Sequence, residues 1–220
     1  MVSNSDNFIW VKEFGGDALS DFYKKFKELE EDPLVPVISI IISSYGGSVY
    51  GLIGMRNLIK SSRKPVMTLC LTHAQSAGAF LLAAGSKQLR FAAKDTDIMI
   101  HGIQTWGIGG DLKQVGESVE NLKLMQERVL RNLAEDTGKS YEEVVKAIHS
   151  SVTGDINMTP EQALEFGIID AIGMPQIDYE QQNLRISVSK QDGIKPVEEK
   201  PKKRVAKKSK VKHTKSVRSK

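Results

Sequence analysis

From Val35 to Ser43 the chain reads VPVISIIIS, a short run rich in β-branched residues and free of charge. Side chains that branch at Cβ are stiff at χ1 and pack well on a pleated surface. A run of this length and composition predicts a strand buried on both faces, as in the interior of a parallel sheet. Parallel neighbours need crossover connections, and the flanking sequence supplies them. Leu19, Phe22, Tyr23, Phe26 and Leu29 fall at helical spacing within 17–31, and Pro33 ends that helix. On the other side the Gly-rich turn SSYGGSVYG (43–51) feeds a helix to about Lys60, and PVMTLCL (65–71) is the next buried strand. FIWV (8–11), a helix from Ser76 to about Ala84, a short strand at Leu89–Phe91 and DIMIH (97–101) complete an alternating series. The expectation is an α/β fold with a parallel sheet, its chemistry at loops leaving the strand ends.

After residue 101 the pattern changes. Leu112, Val115, Val119, Leu122, Met125, Val129 and Leu133 step by three and four, which predicts one long amphipathic helix over Asp111–Asp136. Ser140 with Glu143 forms a capping-box pattern opening a helix through Ile148, and Thr159–Pro160–Glu161–Gln162 repeats the signal. Gly167 ends that short helix, and IIDAIG (168–173) predicts a last strand.

Charge divides the chain in two. Residues 190–220 carry 13 Lys/Arg against 3 Asp/Glu, whereas 1–189 carry 18 against 24. The tail lacks aromatic residues and has almost no large apolar ones, so it is expected to be disordered. Its lysines suit nonspecific contact with nucleic-acid phosphates, and they equally suit a solubilising tail or a docking tether. The N-terminus shows no basic start followed by an apolar run, and no apolar stretch is long enough to cross a membrane, so a cytoplasmic protein is expected. The single cysteine, Cys70, leaves no disulfide framework within the chain and reads as a small buried apolar residue.

Nucleotide and metal motifs are missing. The sequence contains no G-x-x-x-x-G-K-[ST], no G-x-G-x-x-G after a strand and no H-E-x-x-H, and His73, His101, His149 and His213 are scattered. No cofactor is expected. Three polar residues remain, each at the end of an ordered element. Ser76 lies between a buried strand and an apolar helix, followed by Ala77, Gly78 and Ala79. It is either a helix cap or a nucleophile placed where backbone N–H groups favour developing negative charge. His101 closes an apolar strand and is either a satisfied core histidine or a general base, with His73 as its rival. Asp155, in TGDINMTPEQA, lies in the loop between two helices, where the plain account is a turn aspartate. The Gly46–Gly47 turn binds a phosphate, supplies an oxyanion donor, or simply turns the chain.

The ordered set SSYGGSVYG, HAQSAGAFLLAAGSKQLRFA, IMIHG and DINMTPEQALEFGIID closely resembles the Clp peptidase (ClpP) family, over roughly Phe8–Gly173. The resemblance implies a ClpP/crotonase-like spiral of β–α units over 1–189, with a projecting helical handle at about 107–150 and the basic tail beyond it. It implies a serine endopeptidase in which Ser76 attacks the peptide carbonyl, His101 transfers the proton and Asp155 orients the imidazole, with the N–H groups of Gly47 and Ala77 as oxyanion donors. Hydrolysis itself would be ATP-independent. The partners implied are copies of this chain in heptameric rings, stacked as a tetradecamer, an AAA+ unfoldase and polypeptide substrates.

This sequence departs from the family pattern in several places. It has Tyr45 where Pro usually precedes the paired glycines, Ala77 where Met usually follows the nucleophile, and Gly102–Ile103 in place of Gln-Pro after the histidine. It begins almost at the first strand, where the family has a longer segment shaping the axial pore, and it adds the basic tail. A divergent member is expected. An inactive ring or scaffold paralogue, a capsid-maturation-type peptidase of viral kind and an acyl-thioester enzyme of the same architecture are the competing readings.

Overall fold

The computed structural model describes residues 7–105, 107–180 and 183–188. The expected disordered tail at 190–220 lies outside the described residues. The elements run β1 (Phe8–Val11), α1 (Ala18–Glu31), β2 (Ile38–Ser44), α2 (Val49–Ser61), β3 (Val66–Gln75), α3 (Ala77–Ala83), β4 (Arg90–Ala92) and β5 (Asp97–Ile100). They continue with α4 (Leu112–Thr137), α5 (Tyr141–Ser150), β6 (Ile156–Met158), α6 (Pro160–Phe166), β7 (Ala171–Ile172), β8 (Pro175–Glu180) and β9 (Asn183–Val188). The fold is α/β, and β1, β2, β3, β4 and β7 form a parallel run in that order.

β3 is the hinge of the architecture. Its first half pairs with β4, Thr68 opposite Arg90, and its second half pairs with β5, Gln75 opposite Met99. The change of neighbour coincides with an irregularity against β2, where Ile42 faces Cys70 but Ser44 faces Ala74. A bulge of this kind bends a strand and re-aims its end. β3 therefore runs on to Gln75, beyond the expected end at Leu71, and Ser76 follows the strand with no intervening turn.

The core explains the placement of α3. Every residue from Ala77 to Ala83 is buried, as expected of a short helix that is apolar all round. It packs on β3, α2, β5 and α4. Ile38, Ile40 and Ile42 of β2 join the same cluster. A separate, smaller cluster is formed by Val37, Met67, Leu69 and Phe91, with Leu89 and Ala171 packed against it. β2 accordingly alternates buried and half-buried positions instead of being equally buried on both faces.

The apolar stripe of α4 is used along half its length. Val129, Leu130 and Leu133 are buried in the core, whereas Leu112, Val119 and Leu124 are exposed. The capping boxes at Ser140 and Thr159 form as expected, with Glu143 and Gln162 closing them. α4 opens on a further one, between Asp111 and Gln114, that the apolar pattern had overshadowed. β6 and the antiparallel hairpin of β8 and β9 were not expected, because their runs are short or strongly polar. Among the described residues no helix is long and apolar enough to cross a membrane.

Candidate active site

Ser76 ends β3 and opens α3 with φ +52° and ψ −124°. A non-glycine residue is seldom held at positive φ, and such strain persists only where the surroundings enforce it. Here the Ser76 N–H donates to the Met99 carbonyl of β5 at 2.8 Å, and its own carbonyl accepts from Ala79 and Phe80 in the first turn of α3. The side chain makes no capping hydrogen bond. Ser76 is therefore not acting as a side-chain cap for the helix it introduces.

The Gly46–Gly47 turn lies directly over this serine. A Cβ on Gly46 would come 2.7 Å from Ser76 Cβ and 3.1 Å from the Ala77 nitrogen. Gly46 has φ +105° and its N–H donates to the buried Ser44 hydroxyl at 3.1 Å, which fixes the turn. Absence of side chains there brings two runs of backbone together, and that is the arrangement in which N–H groups from both can face one oxygen.

Sheet register brings the other two candidates to the same end. β5 runs parallel to β3, and β6 runs antiparallel to β5 with Ile100 opposite Ile156. The ladder ends at that pair, and His101 and Asp155 are the next residues beyond it on the two strands. Three adjacent strand ends therefore present Ser76, His101 and Asp155 in series. Asp155 is expected in a loop between helices, and the structure adds the short β6 directly after it.

The side chains are not joined in the lone chain. Nδ1 of His101 lies against the carbonyl of its neighbour Gly102. Oδ1 of Asp155 is buried and has no hydrogen-bond partner, although its backbone carbonyl accepts from the Ser151 hydroxyl at 2.7 Å. The rival base, His73, is otherwise engaged. Its Nδ1 is 2.9 Å from the Thr72 hydroxyl, and its ring packs on Tyr45 with centroids 4.1 Å apart.

Ser76, Ala77, Gly47 and His101 line one cleft of about 420 Å³. Its floor is apolar, from Val49, Leu52, Phe80, Val129 and Leu130, with Tyr45 and Gln126 also in its wall. A second cleft, of about 490 Å³, runs from His101 past Ile148 to Gly154. Gln126 lines both and was not singled out from the sequence, where nothing distinguishes it from the other polar positions of a long helix. Cys70 takes no part. It is wholly buried, and burial pushes its thiol up to about 12, which leaves no thiolate for chemistry near neutrality.

The β–α framework thus carries a strained serine over a glycine turn and a histidine in the same cleft. The sequence model of the Clp protease family matches residues 13–176. The chain is also similar to the ATP-dependent Clp protease proteolytic subunit 1 of Prochlorococcus marinus (strain MIT 9312). The two are 35% identical over 135 residues, which is 61% of this chain and 67% of that protein. The chain belongs to the Clp protease family, and its class is that of a peptidase.

Proposed function

We propose that the chain is a serine endopeptidase subunit whose nucleophile is Ser76, with His101 as its base and Asp155 as the group that orients the base. The observation that carries this reading is the succession of Ser76, His101 and Asp155 at three adjacent strand ends, with Ser76 held at positive φ over a glycine turn. Nε2 of His101 removes the Ser76 proton as Oγ attacks the peptide carbonyl, and the resulting oxyanion is met by the N–H groups of Gly47 and Ala77. The imidazolium then returns the proton to the leaving amine, and water repeats the sequence to release the acid. None of these steps consumes ATP. The apolar floor of the cleft suits an apolar side chain next to the scissile bond.

His101 reaches Asp155 when its ring turns from the Gly102 carbonyl toward the unpartnered Oδ1. The exposed half of α4, with Leu112 and Leu124 outermost, offers an apolar surface for another copy of the chain. Self-assembly into rings, with α4 and α5 as a handle, is the setting in which this alignment is completed. An unfoldase that delivers polypeptide, a cytoplasmic location and the tail over 190–220 as a tether belong to the same proposal.

One observation favours a second reading. The lone chain leaves His101 and Asp155 apart, which suits a subunit that contributes structure to a ring without cleaving. A fluorophosphonate serine probe, applied to the protein and to Ser76→Ala on a native sizing column, separates the two. Labelling at Ser76 within a large assembly is the expected result. A large assembly that remains unlabelled overturns the catalytic reading in favour of the scaffold.

A further inference from the structure

The run that leaves β5 carries one hydrogen bond that the peptidase chemistry does not use. Ile103 N–H donates to Oε1 of Gln126, on α4, at 3.0 Å. Among the described residues it is the one hydrogen bond recorded between 102–105 and another element. Gly102 is matched to it. A Cβ at that position would meet the same Oε1 at 2.8 Å, so any larger residue there would push the end of the Gln126 side chain aside. The bond spans 23 positions of sequence.

Position gives this bond its meaning. His101, Gly102, Ile103, Gln104 and Gln126 are the residues common to the two clefts, so they form the partition between the Ser76 side and the side leading toward Gly154. The Gly102 carbonyl within that partition is the group that Nδ1 of His101 touches. Glycine has the widest choice of backbone conformations, and without an external tie the 102–103 peptide would be free to reorient. Gln126 supplies the tie from a helix whose own second half is anchored by Val129, Leu130 and Leu133.

We infer that Gln126 is a positioning residue for the reaction. Its Oε1 clamps the partition to α4 and thereby sets where the His101 ring can lie. The inference rests on the proposed roles of Ser76 and His101. Misplacement of a reacting group by about 1 Å can cost up to about a hundredfold in rate, so a clamp of this kind acts on turnover more than on binding.

Full-length Gln126→Met, which keeps length but loses the acceptor, and Gln126→Glu, which keeps an acceptor oxygen, provide the test. Gln126→Leu serves as a second acceptor-free variant if thermal melting shows the methionine protein to be poorly folded. Hydrogen–deuterium exchange of a peptide covering 101–105 is followed by mass spectrometry, and kcat and KM are measured on a short fluorogenic peptide. In the acceptor-free variant exchange accelerates and kcat falls by about tenfold with KM within about twofold, while the glutamate variant recovers most of both. Wild-type exchange in Gln126→Met, or faster exchange with an unchanged kcat, overturns the inference. Failure of the wild-type protein to cleave or to react with the serine probe would instead count against the peptidase reading, and exchange alone would then decide whether the clamp exists.

Discussion

Gly46 and Ser76 are packed so closely that a Cβ on the first would lie 2.7 Å from the Cβ of the second. The same added atom would be 3.0 Å from the Gln75 carbonyl oxygen, and the backbone at Gly46 has φ +105°. Gly46→Ala thus meets both a collision and backbone strain. Strain at such a φ alone costs on the order of 1–3 kcal/mol. The turn is expected to yield by moving away from Ser76, separating the Gly47 N–H from the Ala77 N–H. Labelling of Ser76 by a fluorophosphonate should slow by about a hundredfold while the protein remains folded by circular dichroism. Labelling at the wild-type rate would show that the glycine turn takes no part in the oxyanion site.

Asp155 offers the opposite balance of stability and function. Its Oδ1 is buried without a partner, and a buried acceptor left unsatisfied is a cost to the folded chain. Asp155→Asn should leave the melting temperature close to wild type. On its proposed role as the group that orients the base, its loss is expected to lower kcat by roughly 10⁴-fold. Thermal melting and steady-state kinetics on the same preparations check both halves. A variant with normal turnover would remove Asp155 from the mechanism.

Much of this site was legible because its residues end recognisable elements. The β-branched run in β2 and the apolar run in β3 announced a parallel sheet, and the small residues after Ser76 announced a tightly packed helix. The register between β5 and β6 was not legible, since Ile156–Met158 is too short to show alternation. From its own surroundings in the sequence Asp155 reads as a turn aspartate, and only the family resemblance gives it a role. The bulge in β3 left no trace either, because continuous burial hides a change of partner strand. Gln126 escaped for a different reason. Its significance depends on Gly102 being in contact with it, and a pairing between a loop and a distant helix has no local pattern.

A buried ion pair joins α4 to α2 and is expected to dominate the stability of that junction. Arg56 donates from Nε and Nη2 to the Asp136 carboxylate at 2.7 and 2.9 Å, and Lys60 adds a contact of 2.8 Å. The Asp136 side chain is 2% exposed, so its charge has little recourse to water. Removing Arg56 leaves the buried carboxylate with Lys60 alone, and breaking a buried pair typically costs about 3–5 kcal/mol. Arg56→Met should therefore lower the urea midpoint strongly. The double change Arg56→Met with Asp136→Leu should recover much of the loss, because the buried and now under-compensated carboxylate is gone. A double variant no better than the single one would mean that the pair is held for its geometry, not for mutual neutralisation.

Glu30 should make the protein acid-sensitive. Its buried carboxylate accepts from Lys27 Nζ at 2.5 Å and from the Arg63 N–H at 3.0 Å, linking the end of α1 to the connection between α2 and β3. The Lys27 hydrogen bond first, and the Arg63 N–H second, hold its carboxyl below the ordinary value of 4.5. A carboxyl depressed by folding binds protons more readily in the unfolded chain. Its contribution is thus fully present above the ordinary value and is lost as the pH falls through the lower folded one. Urea unfolding at a series of pH values from about 7 to about 3 should show the midpoint falling below about pH 4.5. Glu30→Gln should begin less stable at neutral pH and fall less steeply, since the replacement no longer titrates. Parallel curves for the two proteins would assign the acid sensitivity to other carboxylates.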